Sequence, residues 1–273
     1  MAALKSIQYA LSRYLLRRPF MEAHIPEHSL RIKFKTEDAA GRRLFKRADY
    51  EPHLTNFVCR NVRLKAGEHA VDIGANLGWY SLLMDRMAEP GASIHAFEPD
   101  VLNCKLLQQN LNKNEARSVK TNQIALSDQD GESVLHLYED KNRGRHSLLP
   151  INDGEQIKVK TTCLDTYLKS QDIDNSAVTF IKIDIEGFEQ VALKGASQTL
   201  SQRPMILSEF VPDYIKKGGL SVDEYIDYMF GFGYMAFSLT EAGSEEVGAD
   251  YLRSAPGALD ILWSSREVNW KPT

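Results

Sequence analysis

The sequence predicts an α/β fold with a mostly parallel sheet and helices on both faces, and three observations carry that prediction. From residue 69 onward, short apolar strands alternate with segments whose apolar residues recur at helical spacing, the pattern of βαβ units. The run Asp72-Ile73-Gly74-Ala75-Asn76-Leu77-Gly78 lies where a buried strand, His69-Ala70-Val71, must end and a helix, Trp79 to Met84, must begin. A second strand, Ser93 to Phe97, ends in Glu98-Pro99, 20 residues after Gly78. At about that separation, an acid on the second strand of such a unit reaches ribose hydroxyls.

At the amino end, Leu4, Ile7, Leu11, Tyr14 and Leu15 repeat at helical spacing among Lys5, Arg13, Arg17 and Arg18. This is an amphipathic helix rather than a signal peptide, because its uncharged runs are too short for a secretory segment. Such a helix packs on its own domain, packs on a second subunit as in a homodimer, or makes peripheral contact with an anionic membrane surface. Pro19 and Pro26 break it. Leu30 to Phe34 alternates apolar and polar residues, and Arg43-Leu44-Phe45-Lys46 is expected to pair with it across Asp38 to Gly41 as a small hairpin. The expected organisation is therefore a helix and hairpin appendage over residues 1–60 and one α/β domain over 61–273.

Beyond the first two core strands, a helix opens at Pro99-Asp100 and carries Leu102, Leu106, Leu107 and Leu111. Val119 to Leu126 reads as the third strand. Ser133 to Tyr138 and Ile157 to Thr161 alternate at period two, so they read as added strands flanking a polar loop. Val178 to Ile183 is the fourth core strand, Met205 to Leu207 the fifth, a strand after Tyr234 the sixth, and Leu259 to Trp263 the last.

Composition agrees with an enzyme of ordinary size. The 273 residues, 43% of them hydrophobic, suffice for a full α/β core. Net charge is −4 but uneven, since residues 1–65 hold 14 Lys and Arg against 6 Asp and Glu, or +8, which leaves −12 on the remainder. Cys59, Cys104 and Cys163 have no C-x-x-C spacing, which suggests reduced thiols and a cytoplasmic location.

Gly74 and Gly78 lack a Cβ, so the backbone between them turns sharply and a ligand can approach it. The pyrophosphate of a dinucleotide needs G-x-G-x-x-G, but Asn76 stands at the second glycine and the third is missing, which argues against a nicotinamide oxidoreductase. Asp72, just ahead of the turn, would repel a pyrophosphate and attract a cation. S-adenosylmethionine fits, with an ammonium and a sulfonium for Asp72 and a ribose for Glu98.

Taken in order, D-I-G-A-N-x-G-x-Y-S, then F-E-P, then Ile124-Ala125-Leu126-Ser127-Asp128, then Lys182-Ile183-Asp184-Ile185-Glu186-Gly187-Phe188-Glu189 and Leu193-Lys194-Gly195 resemble the FkbM-type methyltransferases. The resemblance covers roughly residues 50–240. It implies a Rossmann-like class I methyltransferase with a seven-stranded, mostly parallel sheet whose last strand is antiparallel, S-adenosylmethionine as cofactor, and transfer of a methyl group to a hydroxyl of a sugar, polysaccharide or secondary metabolite. The expected cofactor contacts are Asp72, Gly74, Asn76, Gly78, Tyr80 and Glu98, joined by Asn103 and Ala125.

Ligands of open α/β sheets bind beyond the carboxyl ends of the strands, which selects Asp184, Glu186 and Glu209 as residues facing the acceptor. Asp184 is the first candidate for the base that draws off the acceptor proton, with Glu186 beside it. His146 is the second, in a polar loop, Lys141 to Ser147, whose charges suit a sugar phosphate or acidic glycan. Glu189 is expected to cap the helix that follows. No metal is expected; the weaker alternative is a Mg²⁺-assisted small-molecule O-methyltransferase with Asp184 and Glu209 as ligands. A nucleic-acid (RNA) methyltransferase would use the basic amino end as a phosphate footprint, but no aromatic platform interleaves with it, so a nucleic-acid partner is not expected.

Overall fold

The computed structural model describes residues 2–138, 140–151 and 153–272. Thirteen strands are described: β1 Phe20–Ile25, β2 Leu30–Lys35, β3 His69–Ile73, β4 Ser93–Phe97, β5 Val119–Asn122, β6 Ala125–Leu126, β7 Gly131–His136, β8 Gln156–Thr162, β9 Val178–Ile183, β10 Met205–Phe210, β11 Met235–Thr240, β12 Gly243–Val247 and β13 Leu259–Ser264. The main sheet runs β12-β11-β13-β10-β9-β3-β4-β5. Strands β5, β4, β3, β9 and β10 are parallel, and β13 is antiparallel to both β10 and β11. The order reverses at the β3/β9 boundary, which puts the crevice of the sheet over the ends of those two strands.

The main sheet has eight strands rather than the seven expected. The extra one, β12, folds back on β11 through the two residues between Thr240 and Gly243 and covers that edge. The expected third strand divides. Val119–Asn122 pairs with β4 only as far as Phe97, and past that point Pro99 has no N–H to continue a ladder. Ala125–Leu126 moves instead to a small sheet, beside β8, which also carries β7.

The hairpin is real, but its strands are β1 and β2, joined through Pro26–His28 with Ser29 left-handed. Arg43 to Lys46 belongs to a helix, Ala39–Arg47, and not to a strand. Asp38 starts that helix by accepting the Gly41 N–H at 2.7 Å, as N-caps do, and Leu44 and Phe45 bury its inner face.

Apolar clusters fill both faces of the sheet. One joins Ile25, Ile32, Phe34 and Leu44 of the amino-terminal elements to Leu82, Leu83 and Leu107 of the helices Trp79–Arg86 and Val101–Lys113. The other, on the opposite face, is built around Ile181, Ile206, Tyr225 and Trp263.

Two asparagines tie the hairpin to the domain. Asn110 Oδ1 accepts the Lys33 N–H at 2.7 Å while its Nδ2 donates to Lys33 O at 3.1 Å and Leu77 O at 2.9 Å. One helical turn on, Asn114 repeats the pattern with Arg31, at 2.9 and 2.7 Å. An i, i+4 step rises about 6 Å along a helix and two residues rise about 6.6 Å along a strand, so the amides stand in for a neighbouring strand and close the β2 edge. Asn110→Leu should therefore lower stability by roughly 1–3 kcal/mol, the cost of stranding buried polar groups. Denaturant unfolding checks the loss, and hydrogen exchange should show the Lys33 amide losing protection first.

Candidate functional site

Beyond the carboxyl ends of the central strands lies a cavity of about 360 Å³, lined by Asp72, Gly74, Asn76, Tyr80, Asp184, Glu186 and Glu209 among others. Ligand pockets run roughly 300–1,000 Å³, so this one is ligand-sized. A cleft of about 50 Å³ adjoins it, sharing Gly74, Asn76, Gly144 and Asp184, and Glu98, Asn103, Ala125 and His146 line it. The glycine turn holds the two together. Gly74 has φ +81, and a Cβ there would stand 2.1 Å from the Asp184 carbonyl oxygen, so only glycine lets the end of β3 lie against the end of β9.

Asn76, also left-handed, donates its N–H to Glu98 Oε2 at 2.9 Å, and Asp100 N–H donates to Glu98 Oε1 at 2.9 Å. Burial outweighs both bonds and pushes the Glu98 carboxyl up to about 8. Asn76 Oδ1 is buried with no partner, an orphaned acceptor in the residue that lines both cavities. Such an atom fits a polar ligand. Gly78 corrects an expectation: it lines neither cavity. Its φ of +89 and the 2.6 Å approach a Cβ would make to Leu107 Cδ1 give it a packing role.

Asp72 is buried and accepts the Ser81 hydroxyl at 2.5 Å. Burial raises its carboxyl to about 6, partly offset by that bond and by Lys182. Lys182 is itself 2% exposed, its Nζ 3.5 Å from Asp184 Oδ2 and 5.1 Å from the centre of the Tyr80 ring. Glu51 reaches the same cavity from the amino-terminal segment and accepts the Tyr80 hydroxyl at 2.6 Å. Tyr80 thus faces the cavity as expected, but its hydroxyl is committed to Glu51.

Asp184, Glu186 and Glu209 bring carboxylate oxygens within 4.8 Å of one another. Burial first, and the charge of Asp184 second, raise both Glu186 and Glu209. Like charges this close cannot all be ionised without compensating cations. Arg145 supplies one, with Nε 3.7 Å from Glu186 Oε2 and its guanidinium between the Tyr138 and Tyr214 rings, 4.9 and 5.4 Å from their centres. Glu189 Oε1 accepts the N–H groups of Ile185 and Gly187 at 2.9 and 3.3 Å, which fixes the turn that carries Glu186.

The loop after β7 is arranged differently from the expectation. Arg143 is buried, its Nη2 2.6 Å from Asp100 Oδ1 and its Nε 3.2 Å from Asn103 Oδ1, while its N–H donates to Asp38 Oδ2 at 3.3 Å. Arg143 is thus paired with Asp100, and Arg145 meets Glu186 while lining the large cavity; the side chains of Lys141 and Asn142 lie outside the described residues. His146 Nδ1 accepts the Tyr138 N–H at 2.9 Å and the ring lines the cleft with Glu98, not the cavity with Glu186 and Glu209. One ring nitrogen is thus held by the loop's own backbone, and the ring shares its cleft with Asp184.

Sequence reasoning missed Lys182, Glu51 and Arg145. Lys182 carried a signal, a lone lysine inside the otherwise apolar run Phe180 to Ile183. Glu51 carried none; it precedes the helix Pro52–Asn61 with a left-handed backbone, φ +42, and reaches the cavity from outside the strand ends.

With β12 set aside, the core strands in chain order stand 3-2-1-4-5-7-6 across the sheet, and the glycine turn lies at the crevice. These features define a class I methyltransferase fold. The family model described as the methyltransferase FkbM domain matches residues 72–236, more than half of the chain. The chain belongs to the FkbM methyltransferase family. It is 24% identical over 168 residues to the 31-O-demethyl-FK506 methyltransferase FkbM of Streptomyces tacrolimicus, covering 51% of this chain and 63% of that protein. It is 29% identical over 177 residues to the methyltransferase sdnD of Sordaria araneosa, covering 55% and 68%. A crystal structure of methyltransferase FkbM from Methylobacillus flagellatus aligns with TM-score 0.46 at 18% identity, over 81% of this chain and 52% of that one. The chain thus spans about two thirds of the curated relatives and about half of that crystal chain.

Proposed function

We propose that this protein is an S-adenosylmethionine-dependent O-methyltransferase acting on a hydroxyl of a glycan or secondary metabolite. The observation that carries the reading is that Asp184, Gly74 and Asn76 border both cavities, so one carboxylate stands where a cofactor side and an acceptor side meet. The relative whose name places its methyl on an oxygen of an FK506 precursor supports an oxygen acceptor. Tyr50, Trp79 and Tyr214 in the larger cavity supply flat apolar walls among the carboxylates, a lining suited to a sugar ring or a macrocycle.

Bound S-adenosylmethionine supplies a methyl carbon made electrophilic by its sulfonium. Asp72 would hold the ammonium of its methionyl end, and Glu98, Asn103 and Ala125 would line its nucleoside side. The walls of the 360 Å³ cavity would orient the acceptor hydroxyl; positioning contributes roughly 7–11 kcal/mol to reactions of this kind. Asp184 takes the hydroxyl proton, a contribution of roughly 10²–10⁴-fold. Lys182 and Arg145 keep Asp184 and Glu186 compensated. Geometry therefore matters more to the rate than the base does.

A second reading is favoured by the carboxylate trio: Asp184, Glu186 and Glu209 together would hold Mg²⁺, with waters completing its shell. The ion would polarise the acceptor hydroxyl. Glu209 Oε2, buried without a partner, fits that role. Against it, Lys182 and Arg145 already sit 3.5 and 3.7 Å from two of the three carboxylates. Turnover is expected to survive EDTA dialysis unchanged, and a loss restored by Mg²⁺ would replace the base reading with the metal one.

Asp72 makes cofactor affinity pH-dependent. With the free carboxyl at about 6 and a cationic ligand favouring its ionised form, affinity is full above that pH and falls as pH drops through it. Calorimetric titration with S-adenosylhomocysteine should show this, and Asp72→Asn should flatten the dependence while weakening binding about 10- to 150-fold, the share of a hydrogen bond to a charged group. Unchanged affinity in the variant sinks the assignment.

Asp184→Asn should leave S-adenosylhomocysteine affinity within a few-fold and cut turnover by roughly 10²–10⁴. A variant that loses cofactor affinity yet turns over normally at saturation would move Asp184 to the cofactor shell.

A further inference from the structure

The amino-terminal helix is turned inside out. It runs as Ala2–Ala10 and continues through a wider turn over Leu11–Leu15. The side facing the body carries Tyr9 and Ser12, which are buried. The Tyr9 hydroxyl donates to Thr36 O at 2.5 Å, and its ring lies 6.3 Å from that of Phe45. The apolar stripe faces outward: Leu4, Ile7, Leu11, Tyr14, Leu15 and Leu16 are 47–72% exposed. A surface helix ordinarily does the reverse and buries that stripe against its own core.

Charge selects what covers the stripe. No Asp or Glu occurs in residues 1–21, whereas Lys5, Arg13, Arg17 and Arg18 do. The neighbouring helix Ala39–Arg47 adds Arg42, Arg43, Lys46 and Arg47 around a shallow hollow. This end of the chain is +8 over residues 1–65 and the rest is −12, so an anionic surface attracts one end and repels the other. A second copy of this chain seated isologously would instead set the arginines of one stripe against those of the other.

We infer that the exposed stripe and its cationic rim dock the protein on the surface of an anionic lipid bilayer, the apolar side chains entering the headgroup boundary and the arginines meeting the headgroups. No helix among the described residues is long and apolar enough to cross a membrane, so the contact is peripheral. Ala40 and Leu44, on the helix that bears the four outer cations, line the large cavity. Docking thus brings one wall of that cavity within about one helix diameter, roughly 10–12 Å, of the lipid. The inference is independent of the reaction proposed above.

Flotation of the full chain with phosphatidylglycerol-containing vesicles, against vesicles of phosphatidylcholine alone, tests it. Binding is expected to the anionic vesicles only and to weaken as salt is raised. Ile7→Asp/Leu15→Asp and, separately, Arg17→Glu/Arg18→Glu should each reduce it at least tenfold. The two leucine-stripe positions are 59% and 72% exposed, and an unchanged Tm confirms that the variants fold. Failure of the wild-type chain to bind, or equal binding by the Ile7→Asp/Leu15→Asp variant, overturns the inference. A dimer in sedimentation that this variant dissociates would also overturn it, by giving the stripe to a second copy.

Discussion

A single buried cation organises the site. Lys182 emerges, buried, from the middle of the sheet at the wall of the large cavity, in the field of Asp184, Glu51, Asp260 and Asp72. Burial works to lower its pKa; the four carboxylates outweigh burial and take the ammonium up to about 12. The balance works in both directions. Without the ammonium, Asp72 and Glu51 would be buried acids with no compensating charge, and removing one partner of such a group typically costs about 3–5 kcal/mol. The strand that carries Lys182 is central, and Lys182 itself pairs with Asp72 of β3 on one side and Leu207 of β10 on the other, so the backbone beneath the charge is held on both edges.

The amino-terminal segment belongs to this arrangement. Glu51 comes from beyond the matched family region, yet it takes the Tyr80 hydroxyl and contributes to the field around Lys182. Asp38 caps its own helix and also receives the Arg143 N–H. Asn110 and Asn114 bind the hairpin from the other side. The cavity wall formed by Ala40, Leu44, Tyr50 and Glu51 is therefore attached at three separate points to elements that are far away in sequence.

The parts of the fold that could be read in the sequence are those where burial is two-sided. β3, β4 and β9 are mostly apolar runs that stop at Gly74, at Glu98 before Pro99 and at Asp184, and Val178–Ile183 has the expected bounds. β12, Gly-Ser-Glu-Glu-Val, was not legible because an edge strand needs no apolar face and its acids are exposed. Arg43 to Lys46 reads as a strand because four residues cannot distinguish the two periods, although Asp38 is a residue favoured at helix amino caps. At the site, Asp72, Glu98 and Asp184 were legible from strand ends. The pairing of Arg143 with Asp100 and Arg145 with Glu186 was not, because each spans about forty residues and depends on the path of one loop.

That loop makes the two cavities one mechanical unit. The cleft beside Glu98 is far smaller than a nucleoside, and Arg143, Gly144, His146 and Ser147 form its roof. Gly144 and Arg145 are at the same time part of the wall of the larger cavity. The same segment carries Arg145, whose guanidinium lies near the Tyr138 and Tyr214 rings and meets Glu186, so the roof of the cleft and a wall of the larger cavity are one piece of chain. The two cavities thus share one strip of backbone, and the shape of each is set together with that of the other.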